Sequence, residues 1–237
     1  MRVLVTRPRP DADATAAELT ARGHTPIVAP LLDISMSGDA VVDLDGAQAV
    51  LITSANGARA LARVTDRRDI PVFAVGDASA AAARAGGFAR TESASGDVET
   101  LAALVAERLA PADGRLVHLA GTVTAGDLSG SLTAAGFTVD RAVVYRAEVV
   151  HEMPAIVAEA LDSRTLDAAM FFSPRTAARF VELAAREGLD AACSGTVALA
   201  LSPAVAENLG PVPFADVRVA DAPDQASLLR ALDAISQ

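Results

Sequence analysis

Four strand–turn–helix units occur twice in this chain, in the same order, and that repeat restricts the possible folds more than any other feature of the sequence. Val3–Thr6 reads as a strand, Arg7–Asp13 as a polar turn, and a helix then runs to Arg22, closed by Gly23. Leu116–Leu119, the turn Ala120–Asp127 and a helix ending at Ala135-Gly136 repeat the pattern. Thr25–Val28 and Phe137–Val139 are the strands that follow the two glycines. The strand Val50–Thr53, entering a helix at Ser54-Ala55-Asn56, is matched by Ala169–Phe172 entering one at Ser173-Pro174-Arg175. Val72–Val75 before Gly76-Asp77 is matched by Val197–Leu201 before Ser202-Pro203. Ser95-Gly96-Asp97 ahead of Leu101 is matched by Ala222-Pro223-Asp224 ahead of Leu228.

Short apolar strands alternating with alanine-rich helices imply parallel sheets covered by helices on both faces. The expected fold class is α/β: two similar parallel-sheet lobes facing each other across a cleft. A chain of 237 residues suffices for two modest cores. In such sheets ligands sit beyond the carboxyl ends of the strands, so the strand-to-helix junctions are the places to look.

Composition removes several classes of chemistry. Cys193 is the only cysteine, which excludes an internal disulfide or a cysteine-based zinc site. All 20 basic residues are arginine, so no lysine amine can form a Schiff base. His24, His118 and His151 lie far apart and form no metal-binding pair. No metal and no cofactor is expected. A formal charge of −10 argues against nucleic acid as a partner. No apolar run approaches the roughly 20 residues of a membrane span, and the run at Val3-Leu4-Val5 is too short for a signal peptide. The expected location is the cytoplasm, and the expected state a monomer.

Each junction has two readings. Ser54 and Ser173 are ordinary N-caps, and Pro174 is an ordinary first helical residue. A helix start also offers free N–H groups and a positive dipole end to a carboxylate or phosphate. Val75-Gly76-Asp77-Ala78-Ser79 and Leu201-Ser202-Pro203-Ala204 resemble loops where backbone approaches a ligand, but neither is a nucleotide-binding glycine motif. Arg7, Arg9, Arg59, Arg175 and Arg179 stand near these junctions. Tyr145, the only tyrosine, reads either as an amphipathic aromatic where the halves join or as a donor to a leaving oxygen.

Taken in order, Val3-Leu4-Val5-Thr6-Arg7-Pro8, Ile52-Thr53-Ser54-Ala55-Asn56-Gly57, Val75-Gly76-Asp77-Ala78-Ser79, Val144-Tyr145-Arg146 and Phe172-Ser173-Pro174 resemble uroporphyrinogen-III synthase along the whole chain. The resemblance implies two α/β domains, the second inserted into the first. Residues 1–32 with 150–237 would form one, 36–143 the other, and 33–35 with 144–149 the linker strands. It implies cyclisation of the linear hydroxymethylbilane to uroporphyrinogen III with inversion of ring D and loss of water. The substrate is a small-molecule polycarboxylate with eight carboxylates. Tyr145 would assist loss of the hydroxyl. Thr6, Arg7, Thr53, Ser54, Ala55, Asn56, Gly76, Ser79, Gly121, Ser173, Arg175 and Ser202 would bind substrate.

The chain departs from the family at Ser202, where glycine is usual, and at Ala204-Val205, where threonine is usual. Its turn Gly121-Thr122-Val123-Thr124-Ala125-Gly126 lacks the basic residue often found there. The competing reading is a non-enzymatic two-lobe receptor for a small effector; a two-domain glycosyltransferase is disfavoured by length and by the missing nucleotide loop.

Overall fold

Apolar runs such as Ala168–Phe171 and Val72–Ala74 are buried along their whole length, the pattern of strands covered on both faces. The computed structural model describes residues 1–37, 41–123 and 126–235. Its elements begin with β1 (Arg2–Val5), α1 (Asp11–Ala21), β2 (Thr25–Val28) and β3 (Leu32–Met36). Next come β4 (Ala47–Ile52), α2 (Ala55–Val64), β5 (Val72–Ala74), α3 (Asp77–Ala85), β6 (Thr91–Ser93) and α4 (Val98–Arg108). Then follow β7 (Arg115–Gly121), α5 (Leu128–Ala134), β8 (Val139–Val149), α6 (Ala155–Asp162), β9 (Ala168–Phe171) and α7 (Pro174–Glu187). The chain ends with β10 (Val197–Ala200), α8 (Pro203–Glu207), β11 (Asp216–Val219) and α9 (Gln225–Asp233).

Two compact units result, Met1–Asp33 with Glu148–Gln237, and Ile34–Ala147. The first holds a sheet in the order β11-β10-β9-β1-β2, whose described pairs are all parallel. Numbered along its own chain, this is the flavodoxin-like order 2-1-3-4-5. The second holds the order β6-β5-β4-β7-β8-β3. Set side by side, β11, β10, β9, β1 and β2 correspond to β6, β5, β4, β7 and β8. The repeated sequence units therefore fall on equivalent strands of the two sheets, with β3 as an addition to the second.

Strict alternation builds each core. Val3 and Val5 face Leu19 of α1 and Leu228, Leu229 and Leu232 of α9, whereas Leu4 faces Leu161 of α6 and Phe180 and Leu183 of α7. In the other unit Val50, Ile52, Val117 and Leu119 pack on Leu61 of α2 and Ala80 and Ala83 of α3. Ala49, Leu51 and Leu116 pack on Leu101 and Val105 of α4 and Leu128 and Leu132 of α5. At about 25 cal/mol per Å² of apolar surface removed from water, each fully buried leucine or phenylalanine contributes about 1.5–3 kcal/mol before entropy is counted.

One element differs from the sequence reading. The short strand at Phe137–Val139 and the connector after it form a single strand, β8, of 11 residues. The stretch holds no glycine or proline to stop it and four valines to favour it. Its ladder with β7 shifts register between Ala120 and Gly121, where the partners change from Val143 to Tyr145. Val144 is the extra residue of this bulge, so Val144 and Tyr145 turn into the same core.

Candidate functional site

The central junctions of the two units are built alike. In one, β4 leads to Ser54, whose extended backbone (φ −157°) starts α2 and whose Oγ accepts the Gly57 N–H at 3.1 Å. In the other, β9 leads to Ser173 (φ −153°), whose Oγ accepts the Thr176 N–H at 3.2 Å and lies 2.7 Å from the Thr176 hydroxyl. Neither helix has an acidic residue in its first turn. Their remaining free N–H groups and positive ends are therefore open to an anion.

Other helix starts are already occupied. Asp97 caps α4 through Thr100, and Asp224 caps α9 through Ser227. Both carboxyls are held below the usual carboxylate range, chiefly by the backbone hydrogen bonds they accept. Asp11 and Asp13 stand in the first turn of α1, and Asp77 in that of α3. Hydrogen bonds from Ser93 and Ser95 keep Asp77 ionised to lower pH than an ordinary aspartate. A carboxylate ligand would meet a like charge at α3, a point the sequence reading missed although Asp77 is visible beside Gly76.

Thr53 and Ala55 flank Ser54 and are half-buried, and Asn56 accepts a hydrogen bond from Arg59 at 2.8 Å. Gly76 precedes α3 in extended backbone (φ −157°), with open space where a side chain would stand. Ser202 starts α8 without a side-chain cap bond, and that helix spans only five residues. Arg175 is half-buried at the start of α7. Two of the site residues read from the sequence turn inward. Thr6 is fully buried and donates to the Met170 carbonyl at 2.7 Å, tying β1 to β9, and Ser79 is buried within α3.

Arg7 follows β1 and is held on three sides. Its guanidinium donates to Gln225 Oε1 at 2.9 Å, lies 3.5 Å from Asp11 and stacks 4.4 Å from the Phe172 ring centroid. Gln225 also accepts from Thr15 and donates to Glu18, so α1 and α9 together fix the arginine. Phe172 could have been suspected as the aromatic directly before Ser173, but only the β1–β9 pairing brings it under Arg7.

Tyr145, in β8, pairs with Gly121 at the end of β7 and lies within one unit with Ser54. Its hydroxyl is 2.9 Å from Ser54 Oγ, and its ring covers Gly121. Gly121 is enclosed further: its carbonyl accepts from Arg141 at 2.7 Å, and the following Thr122 N–H donates to the Tyr145 carbonyl at 3.2 Å. Thr124 and Ala125 of the turn beyond lie outside the described residues. A cavity of about 440 Å³ opens at the opposite, amino ends of β5 and β6, beside Arg90, Glu92 and Arg108; there Arg108 is already paired with Glu92 at 3.1 Å. Among the described residues no cluster of His, Cys, Asp and Glu could hold a metal ion, and no helix is long and apolar enough to cross a membrane.

Two parallel-sheet units, with serine-capped and acid-free helix starts after their central strands, define a two-unit α/β protein whose helix starts suit an anionic group. A family model described as uroporphyrinogen-III synthase HemD matches residues 13–230, and the chain belongs to that family, which makes it an enzyme of tetrapyrrole synthesis. The fold is similar to a uroporphyrinogen-III synthetase from Helicobacter pylori, at 16% identity and TM-score 0.66, over 99% of this chain and 98% of that one. It is also similar to a mutant uroporphyrinogen III synthase from Thermus thermophilus, at 20% identity and TM-score 0.60, over 100% and 99%. No curated protein matches the sequence.

Proposed function

We propose that this chain converts hydroxymethylbilane to uroporphyrinogen III, a lyase reaction that releases water, as a monomer in the cytoplasm. Family membership over residues 13–230 carries the reading. The open starts of α2 and α7 support it: a substrate rich in carboxylates needs several donors, and each unit supplies one such start. A single exposed contact of this kind contributes about 0.3–1 kcal/mol, and up to ~2 when partly buried. Binding strength would therefore come from several contacts together.

In this reading residues 1–32 with 150–237 and residues 36–143 are the two domains, joined through 33–35 and 144–149. Thr53, Ala55, Asn56 and the Ser54 backbone at the start of α2 bind carboxylates in one, where the Gly76 backbone lies against an uncharged part of the substrate, and Arg7, Ser173, Arg175 and Ser202 bind carboxylates in the other. The buried hydroxyls of Thr6 and Ser79 support the strands and helices that carry these groups. Tyr145 gives its phenolic proton to the departing hydroxyl, so that the C–O bond breaks with water as the leaving group. The rest of the rate enhancement is positioning of the folded chain.

Purified protein incubated with hydroxymethylbilane is expected to yield the type III isomer. Type I product alone, at the rate of the uncatalysed ring closure, would sink the reading. Tyr145→Phe is expected to lower the rate at least about tenfold while the fold melts normally, given that a general acid contributes roughly 10²–10⁴.

A further inference from the structure

Tyr145 stands inside β8, beside the carboxyl end of β7. The β8 bulge turns its ring into the same core as Val144. There it lies against Gly121, and a Cβ built on that glycine would come within 2.6 Å of Cε2, 2.7 Å of Cζ and 3.0 Å of the hydroxyl. Gly121 is not among the positive-φ glycines, so its backbone would accept alanine. What excludes a side chain is the phenol itself.

The polar end is defined as closely. Ser54 Oγ already accepts the Gly57 N–H from the first turn of α2. Its one proton is best used on the phenolic oxygen 2.9 Å away. The chain then runs from Gly57 N–H to Ser54 O–H to Tyr145 O–H, each donating to the next. Such a chain is polarised in one direction, outward from the positive end of the helix. It leaves the Tyr145 proton free for an acceptor beyond the protein.

We propose that Gly121 and Ser54 are positioning residues that seat the Tyr145 phenol, Gly121 by leaving room for the ring and Ser54 by donating to its oxygen. This rests on the proposed cyclisation and on Tyr145 as its proton donor, and it assigns Gly121 a part other than contact with substrate. The two residues act on the chemical step through Tyr145.

The test is a double-mutant cycle, with kcat and KM for type III product measured on the wild type, Ser54→Ala, Ser54→Thr, Gly121→Ala, Tyr145→Phe and Ser54→Ala/Tyr145→Phe. Ser54→Ala is expected to lower kcat about tenfold with KM little changed, the effect of one lost hydrogen bond. Ser54→Thr restores most of the loss. In the Tyr145→Phe background, Ser54→Ala costs nothing further in kcat, because its target is gone. The lost N-cap of α2 is common to both backgrounds and cancels. Gly121→Ala is expected to lower kcat at least as much. It also alters the near-ultraviolet circular dichroism of tyrosine, which here reports one residue because the chain has a single tyrosine and no tryptophan.

A tenfold loss from Ser54→Ala that persists in the Tyr145→Phe background overturns the proposal, as does wild-type kcat in both Ser54→Ala and Gly121→Ala. A Tyr145→Phe enzyme with wild-type kcat overturns it too, while the type III product of the wild type still upholds the cyclisation. Absence of type III product from the wild type overturns both. If Gly121→Ala fails to fold, the Ser54 cycle decides alone.

Discussion

Ser54 and Ser173 hold the same position in the two units: each follows the central strand, each adopts extended backbone, and each hydroxyl accepts the N–H three residues on. Their difference lies in what else the hydroxyl meets. Ser54 touches the Tyr145 phenol, whereas Ser173 turns to its own helix through Thr176. The duplicated architecture thus carries one helix-start serine bonded to a tyrosine and one bonded to its own helix. That asymmetry fits chemistry in one unit and grip in both.

Substitution of Ser173 separates grip from folding. Ser173→Ala removes the cap and is expected to cost about 1 kcal/mol of stability. Ser173→Asp restores an acceptor and places a negative charge at the positive end of α7, so it melts near the wild type. The same charge repels a carboxylate, and KM for hydroxymethylbilane is expected to rise more in Ser173→Asp than in Ser173→Ala. Equal KM values in the two variants would show that no carboxylate sits at the start of α7.

Gly76 has no positive φ, and a Cβ added to it would meet no atom within 4 Å. Nothing inside the protein therefore requires glycine there, and Gly76→Ala is expected to leave the melting temperature within a degree or two, with unfolded-state entropy slightly in its favour. If substrate lies against this backbone, the added methyl raises KM by roughly fivefold or more, equivalent to about 1 kcal/mol, with kcat little changed. An unchanged KM would remove Gly76 from the binding surface.

Much of this was legible in the sequence because local signals agreed. Buried runs ending in serine, then alanine-rich helices, define β4–α2 and β9–α7 without tertiary knowledge. The bulge at Val144 was not legible, since Val143-Val144-Tyr145 is apolar throughout and either face would accept it. Gly121 was visible as a glycine, but the ring that demands it lies 24 residues away. Thr6 and Ser79 sit at junction positions that resemble ligand contacts. Only strand pairing and burial reveal that their hydroxyls point inward.

Cys193 offers a reporter for the unit that Tyr145 does not see. It is fully buried, its Sγ donates to the Leu189 carbonyl at 3.5 Å, and burial, helped by Asp190, pushes the thiol up to about 12. Against its ordinary value of 9.0, that leaves roughly a thousandfold less thiolate at pH 8. Labelling by a thiol reagent is expected to be at least about a thousandfold slower in the native protein than in urea, and to follow opening of this unit. Rapid labelling under native conditions would contradict the packed core around Phe171 and Phe180.

His118 sets the response to acid. It sits in the middle of β7, 3% exposed, and neither ring nitrogen has a hydrogen-bond partner. Burial, helped by the positive charge of Arg141 across the β7–β8 ladder, lowers it to about 4 from 6.5. The unfolded chain therefore binds a proton between pH 6.5 and 4 that the folded chain does not. Stability from this residue is complete above pH 6.5, declines as pH falls through that window, and is lost below about 4, a total of about 3 kcal/mol. The lowered carboxylates, among them Asp77, Asp97 and Asp224, act in the same direction but at pH values below their ordinary 3.8. Urea unfolding at pH 7 and pH 5 isolates the histidine: the wild type is expected to lose about 2 kcal/mol between them, and His118→Leu far less. A wild-type protein equally stable at both pH values would mean that His118 finds a partner or water in the folded state.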